Sequence, residues 1–181
     1  LLSENNEYIK KVTIEEKEKL SKFGNNVKIL YAVAKTLIEE KLKEKGIEYV
    51  TVIQDTFPLL FSKINRVASS KDIILSFHLN AADASAHGSE FLYYQRSEKS
   101  KKLASLLDKN VVEAVGLRDR GIKPKTLADR GGSLLVRTIS PCVILEPAFI
   151  SNKEDIETLT EKREAYADAI IKSIEEYSKD R

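Results

Sequence analysis

The spacing of apolar residues along the chain predicts several helices. Apolar positions recur at helical intervals from Asn26 until Gly46, which follows a Lys-rich turn and provides a natural helix end. The same periodicity predicts helices over residues 57–69 and from Glu98 to Val115, the latter ending at Gly116. A capping-box pattern at 151–154 predicts the start of a C-terminal helix. A second one at 13–16 fits either a short charged helix or a poor strand.

Short apolar or alternating runs between these helices predict strands. They lie at residues 49–53, 73–77, 91–94, 134–136 and 142–145. The last run is apolar throughout, as expected of a strand that is covered on both faces. Strands that alternate with helices are typical of an α/β domain with a mostly parallel, twisted sheet and helices on both faces. A length of 181 residues suits one such domain, covering 1–181.

Composition narrows the possible partners of this domain. Thirty basic residues nearly balance 28 acidic ones, and a net charge of +2 does not favour binding to nucleic acid. No apolar run reaches the length of a membrane span, and the sequence indicates no oligomeric state. Cys142 lies within an apolar run, which predicts a buried thiol and no disulfide. The chain begins with Leu1 and lacks a signal peptide pattern, so we interpret it as a fragment or a processed product.

Two polar residues follow predicted core strands. His78 comes directly after the run 73–77, and Glu146 comes directly after 142–145. Functional sites of parallel sheets collect at the carboxyl ends of strands, so both residues are candidates for a shared cleft. A hydrogen-bonded strand-end histidine and a structural ion pair at Glu146 are the alternative interpretations.

The segments around these two residues resemble a known family. Residues 76–81 read Ser-Phe-His-Leu-Asn-Ala, and residues 145–152 read Leu-Glu-Pro-Ala-Phe-Ile-Ser-Asn. Gly-Ser-Glu-Phe at 88–91, Arg-Gly-Ile-Lys at 120–123 and Pro141 occur between them. In this order and spacing they resemble the zinc-dependent N-acetylmuramoyl-L-alanine amidases, in particular the amidase type 3 catalytic domain, most clearly over 26–177.

The resemblance implies a peptidoglycan hydrolase. Zinc-activated water would cleave the amide between N-acetylmuramic acid and L-alanine, with His78 as a zinc ligand and Glu146 as the general acid and base. The protein would act in the cell envelope or as a phage lysin. Peptidoglycan would be its partner and zinc its cofactor.

The expected set of zinc ligands is incomplete. The family's first ligand is a histidine in a Gly-His-Gly-like motif, and no such motif precedes His78. The second, a glutamate, corresponds to the neighbourhood of Asn26, for which Glu16 or Glu18 are possible substitutes. Two explanations stay open. Either a segment before Leu1 carries the missing histidine, or the domain is an inactive amidase-fold module with a wall-binding, structural or regulatory role.

Other polar residues have weaker assignments. His87 lies in a polar loop and is interpreted as a surface residue, and Glu90 as a carboxylate at the start of a strand. Arg137 could steady a substrate carboxylate or pair with an acid. A serine hydrolase is not favoured, because the chain has no Gly-x-Ser-x-Gly segment.

Overall fold

A computed structural model describes residues 25–52 and 57–179, without the side chains of 25–33 and 57–59. Six helices occur in the described part of the chain: α1 (Asn25–Glu44), α2 (Phe57–Val67), α3 (Glu98–Val115), α4 (Gly132–Arg137), α5 (Lys153–Glu161) and α6 (Arg163–Lys179). Four strands accompany them: β1 (Ile74–Phe77), β2 (Ser89–Tyr94), β3 (Asp119–Lys125) and β4 (Cys142–Glu146). None of these helices is long and apolar enough to cross a membrane.

The strands form one mixed sheet in the order β1-β4-β2-β3. β1 pairs with β4 and β2 pairs with β3 in parallel, whereas β2 and β4 are antiparallel. β4 is therefore an interior strand, which explains its uninterrupted apolar sequence. The predicted α/β domain with a mostly parallel sheet is confirmed.

Helices cover both faces of the sheet. Phe91 and Tyr93 pack with α1, α3 and α6, whereas Leu92 packs with α2 and α4 on the opposite face. This division follows from the two-residue period of a strand, which sends successive side chains to opposite sides. We call these two surfaces the α3 face and the α4 face of the sheet.

The helix predicted from Glu98 to Val115 forms with the expected ends. Ser97 caps it by accepting a hydrogen bond from the Ser100 backbone N–H, and Gly116 ends it in the left-handed conformation with φ 77°. Both features satisfy backbone groups that would otherwise lack partners at a helix terminus.

Three elements differ from the sequence-based prediction, namely the predicted strands 134–136 and 49–53 and the strand β3. The predicted strand 134–136 is wrong: these residues lie in α4, where Leu134 and Leu135 are both buried against the sheet. An apolar run this short cannot distinguish a buried strand from a helix. β3 was not predicted, because its sequence Asp-Arg-Gly-Ile-Lys-Pro-Lys has only one apolar aliphatic side chain.

The predicted strand 49–53 is not regular within the described residues, where only Val52 forms a β-bridge. Ile53 and the capping-box pattern at 13–16 lie outside the described residues. The predicted C-terminal helix is confirmed and is divided into α5 and α6. Its cap is Asn152, which accepts a hydrogen bond from the Asp155 backbone N–H.

A buried carboxylate fastens two loops at one edge of the sheet. Asp155, only 2% exposed, accepts hydrogen bonds from the backbone N–H groups of Gly88 (2.9 Å) and Phe149 (2.8 Å). Ser89 Oγ also donates to the Pro147 carbonyl oxygen at 2.7 Å. The loop that precedes β2 is thereby held against the loop that follows β4.

We expect Asp155→Ala to lower the free energy of unfolding by about 3 kcal/mol, because two buried N–H groups lose their acceptor. Urea denaturation followed by circular dichroism measures this change. Glu154→Ala, at the exposed neighbouring position of the same helical turn, is the control and should cost less than about 1 kcal/mol. Equal losses in the two variants would contradict a fastening role for Asp155.

Candidate functional site

The site lies at the edge where β1 and β4 end and β2 begins. Phe77 pairs with Leu145 in the parallel register, and the His78 backbone N–H donates to the Leu145 carbonyl oxygen at 2.9 Å. Glu90 and Glu146 are direct partners in the antiparallel pairing of β2 with β4. Three polar residues from three strands therefore meet at one edge.

Strand alternation places these three side chains on the α4 face. Ile144 packs on that face, and Glu146 follows it by two residues. Ser76 is the register partner of Ile144, and its Oγ lies 2.9 Å from Nε2 of His78, which holds the imidazole on the same side. Glu90 precedes Leu92, another residue of this face, by two positions.

Glu146 has the proton affinity of a group that exchanges protons near neutral pH. Burial, together with the neighbouring Glu90 carboxylate, raises the pKa of Glu146 to about 7. Arg130 and Lys125 oppose this rise, so both cations lie close enough to influence the carboxyl group. A carboxyl group with this pKa can both accept and donate a proton under physiological conditions.

Glu90 is held by two hydrogen-bond donors. Arg120 Nε donates to Oε2 of Glu90 at 2.7 Å, and Asn80 Nδ2 donates to Oε1 at 2.8 Å. The Arg120 guanidinium also lies 4.8 Å from the centre of the Phe149 ring. Glu90, interpreted from the sequence only as a strand-start carboxylate, is thus part of an ordered network beside Glu146.

The remaining candidates lie away from Glu146 or on the surface. His87 is exposed, and its Nδ1 lies 2.9 Å from the Ser85 carbonyl oxygen. Arg137 ends α4 with its guanidinium 5.9 Å from the Phe61 ring, and its carbonyl oxygen accepts from Asn65 near the start of β4. The basic residues that influence Glu146 are instead Lys125 and Arg130. No sequence signal distinguishes Lys125 and Arg130 from the other basic residues of the chain. Glu90 and Arg120, by contrast, both lie in the family-like motifs and could have been found from them.

A complete metal site is not formed by the described residues. Among them, no group of three or more His, Cys, Asp or Glu side chains is arranged to hold a metal ion. Cys142 is fully buried, and burial raises the pKa of its thiol to about 12, which disfavours the thiolate that binds metals. The side chain of Asn26 and both Glu16 and Glu18 lie outside the described part of the chain. His78 is one candidate ligand, and it does not by itself fit a zinc site that needs three protein ligands.

Comparisons with known proteins agree on one family. The family model for N-acetylmuramoyl-L-alanine amidase matches residues 18–176. An uncharacterized protein of Bacillus subtilis, YqiI, is 31% identical over 147 residues, which cover 77% of this chain and 68% of that protein. The N-acetylmuramoyl-L-alanine amidase LytC of the same organism is 30% identical over 142 residues, covering 76% of this chain. The match spans 27% of the length of LytC.

A solved structure supports the same fold. The N-acetylmuramoyl-L-alanine amidase from Clostridium difficile 630 superposes with a TM-score of 0.71 at 21% identity, covering 85% of this chain and 84% of that one. This likeness confirms the fold class.

We expect Glu146→Gln to stabilise the metal-free chain at high pH. Because burial raises the pKa from 4.5 to about 7, the folded chain binds this proton more tightly than the unfolded chain, and stability falls as pH rises between these values. Between about pH 5 and about pH 8, the variant should gain about 2 kcal/mol relative to the wild type. Urea denaturation with a chelator present measures this gain.

The exposed Glu154→Gln variant is the matched control and should show no such pH dependence. A constant difference between Glu146→Gln and the wild type across this pH range would show that the Glu146 carboxyl group is not desolvated in solution.

Proposed function

The chain belongs to the N-acetylmuramoyl-L-alanine amidase family, and we propose that it hydrolyses the amide between N-acetylmuramic acid and L-alanine in peptidoglycan. The observation that carries this proposal is the position of Glu146. Glu146 ends β4 directly after Leu145, whose carbonyl oxygen accepts from the His78 backbone N–H, and its carboxyl group has a pKa of about 7. We further propose that the protein acts at the cell envelope or as a phage lysin.

Glu146 would carry the proton through the reaction. In its ionised form it takes a proton from the attacking water while the oxygen bonds to the amide carbonyl carbon. It then donates this proton to the alanine nitrogen as the carbon–nitrogen bond breaks. The products are the lactyl carboxylate of the sugar and the free amine of the peptide. The pKa near 7 suits both steps, because neither form of Glu146 is rare at neutral pH.

We propose His78 as one protein ligand of a bound zinc ion. A bound zinc ion would lower the pKa of water and polarise the amide carbonyl. Within the described residues His78 is the candidate ligand, and Ser76 Oγ would orient its ring through the contact with Nε2. At least one further ligand would come from outside the described residues, because these hold no group of three side chains arranged around a metal ion.

A second candidate function is wall binding without cleavage. It is favoured by one observation, which is that the described residues hold no three-ligand group. In that case the cleft would retain peptidoglycan as an inactive amidase-fold module. Elemental analysis of the purified chain separates the candidates, since an amidase should hold about one zinc ion per chain. Substoichiometric zinc, no product release and retention on insoluble cell wall would together support the binding module.

We expect Glu146→Gln and His78→Ala each to lower amidase activity at least about 100-fold, because the first removes the proton carrier and the second a metal ligand. The assay measures new amino termini of L-alanine released from purified peptidoglycan. Chelation should abolish wild-type activity, and added zinc should restore it.

His87→Ala is the matched control, since His87 is the other histidine of the chain and lies exposed. This variant should keep wild-type activity. Full activity in His78→Ala would overturn the assignment of His78.

A further inference from the structure

The carboxylate of Glu90 is a partly buried junction between several segments of the site. Its side chain is 13% exposed, and it forms an ion pair with Arg120 of β3. Its other oxygen accepts from Asn80, which lies two residues beyond His78. A largely desolvated carboxylate with two such donors is strongly restricted in position.

Each partner of Glu90 contacts the loop that follows Glu146. The Asn80 backbone N–H donates to the Ala148 carbonyl oxygen at 2.9 Å, and the Ile150 N–H donates to the Asn80 carbonyl oxygen at 2.8 Å. Asn80 and Phe149 form a parallel β-bridge beyond the ends of β1 and β4. Arg120 stacks on the Phe149 ring, so it contacts the same loop from the other side.

This arrangement links the segment that carries His78 to the loop that follows Glu146. Without the Glu90 carboxylate, the Asn80 side chain loses its acceptor, and Arg120 loses the anion that directs it. The segment 78–80 and the loop 147–150 would then lose their link through Glu90 and keep the backbone hydrogen bonds between them. A displacement of about 1 Å at a reacting group is enough to lower a rate about 100-fold.

We propose that Glu90 is a positioning residue, which through Asn80 and Arg120 fixes the strand-end segment of His78 relative to Glu146. This inference rests on the proposed amidase function. In this role Glu90 acts on the reaction through its partners and not by binding substrate. Removing it should therefore lower kcat and leave KM nearly unchanged, which is the signature of a misaligned reaction centre.

Two substitutions separate the contributions of Glu90. Glu90→Gln keeps an oxygen acceptor for Asn80 but loses the charge that pairs with Arg120, whereas Glu90→Ala loses both. We expect kcat to fall about 10-fold in Glu90→Gln and about 100-fold in Glu90→Ala, with KM within about 3-fold of the wild type. The partial rescue by glutamine distinguishes positioning from a simple need for negative charge.

The ion pair of Lys41 with Asp168 provides a matched control. Its nitrogen–oxygen distance is also 2.7 Å, but it joins α1 to α6, outside the site. Asp168→Asn should leave kcat and KM unchanged. A double-mutant cycle adds a second test. By itself, Asn80→Ala should lower kcat, and in the Glu90→Ala background its additional effect should be smaller, because both changes remove the same contact.

Amide hydrogen exchange tests the same network without an activity assay. In Glu90→Gln, the amides of Asn80 and Ile150 should exchange about 10-fold faster, whereas Val143 and Leu145 within β4 should keep their protection. If the wild type cleaves no peptidoglycan, the proposed function fails, and hydrogen exchange alone decides whether Glu90 holds these segments.

Three results would overturn the inference. The first is a kcat within about 3-fold of the wild type in Glu90→Ala. The second is a raised KM at constant kcat, which would assign Glu90 to direct substrate binding. The third is an unchanged rate of amide exchange at Asn80 and Ile150 in Glu90→Gln. This measurement does not depend on whether the alanine variant folds.

Discussion

The pairing of β4 with β1 on one side and β2 on the other is the constraint on which the site depends. It brings the ends of β1 and β4 and the start of β2 to one edge. Strand side chains alternate with a period of two, so a one-residue slip of β4 would move Glu146 to the opposite face. In the observed register the four apolar residues of β4 are buried, alternately on the two faces of the sheet.

The site has an electrostatic cost that the surrounding fold offsets. Glu146 is desolvated next to a second carboxylate, and both effects raise the free energy of its ionised form. Arg120 pairs with the charge of Glu90, and Asn80 donates a second hydrogen bond to it. Glu146 instead retains its proton up to about neutral pH. The same placement that suits Glu146 to proton transfer therefore makes it unfavourable for stability, as is common at functional sites.

Much of the framework could be predicted from the sequence, since it depends on local pattern. α3 shows this most clearly. Its apolar periodicity and the glycine at its end, Gly116, are both signals that can be read within one short segment of sequence. The emergence of His78 and Glu146 at strand ends was also predictable, since each directly follows an apolar run. Where the local signal was weak, prediction was wrong or missing: 134–136 forms a helix, and β3 gains its strand conformation from pairing with β2.

The sequence by itself determined the α/β class, the order of most elements and two polar residues at strand ends, because apolar periodicity and helix caps act between neighbouring residues. Only the tertiary structure decided that Glu90 lies beside Glu146, and that Asn80 and Arg120 meet on its carboxylate. The three partners lie 10 to 56 positions from Glu90 along the chain, and no local pattern specifies such contacts. They arise when strands pair, since register and burial then set which side chains share a face and how strongly each holds its proton.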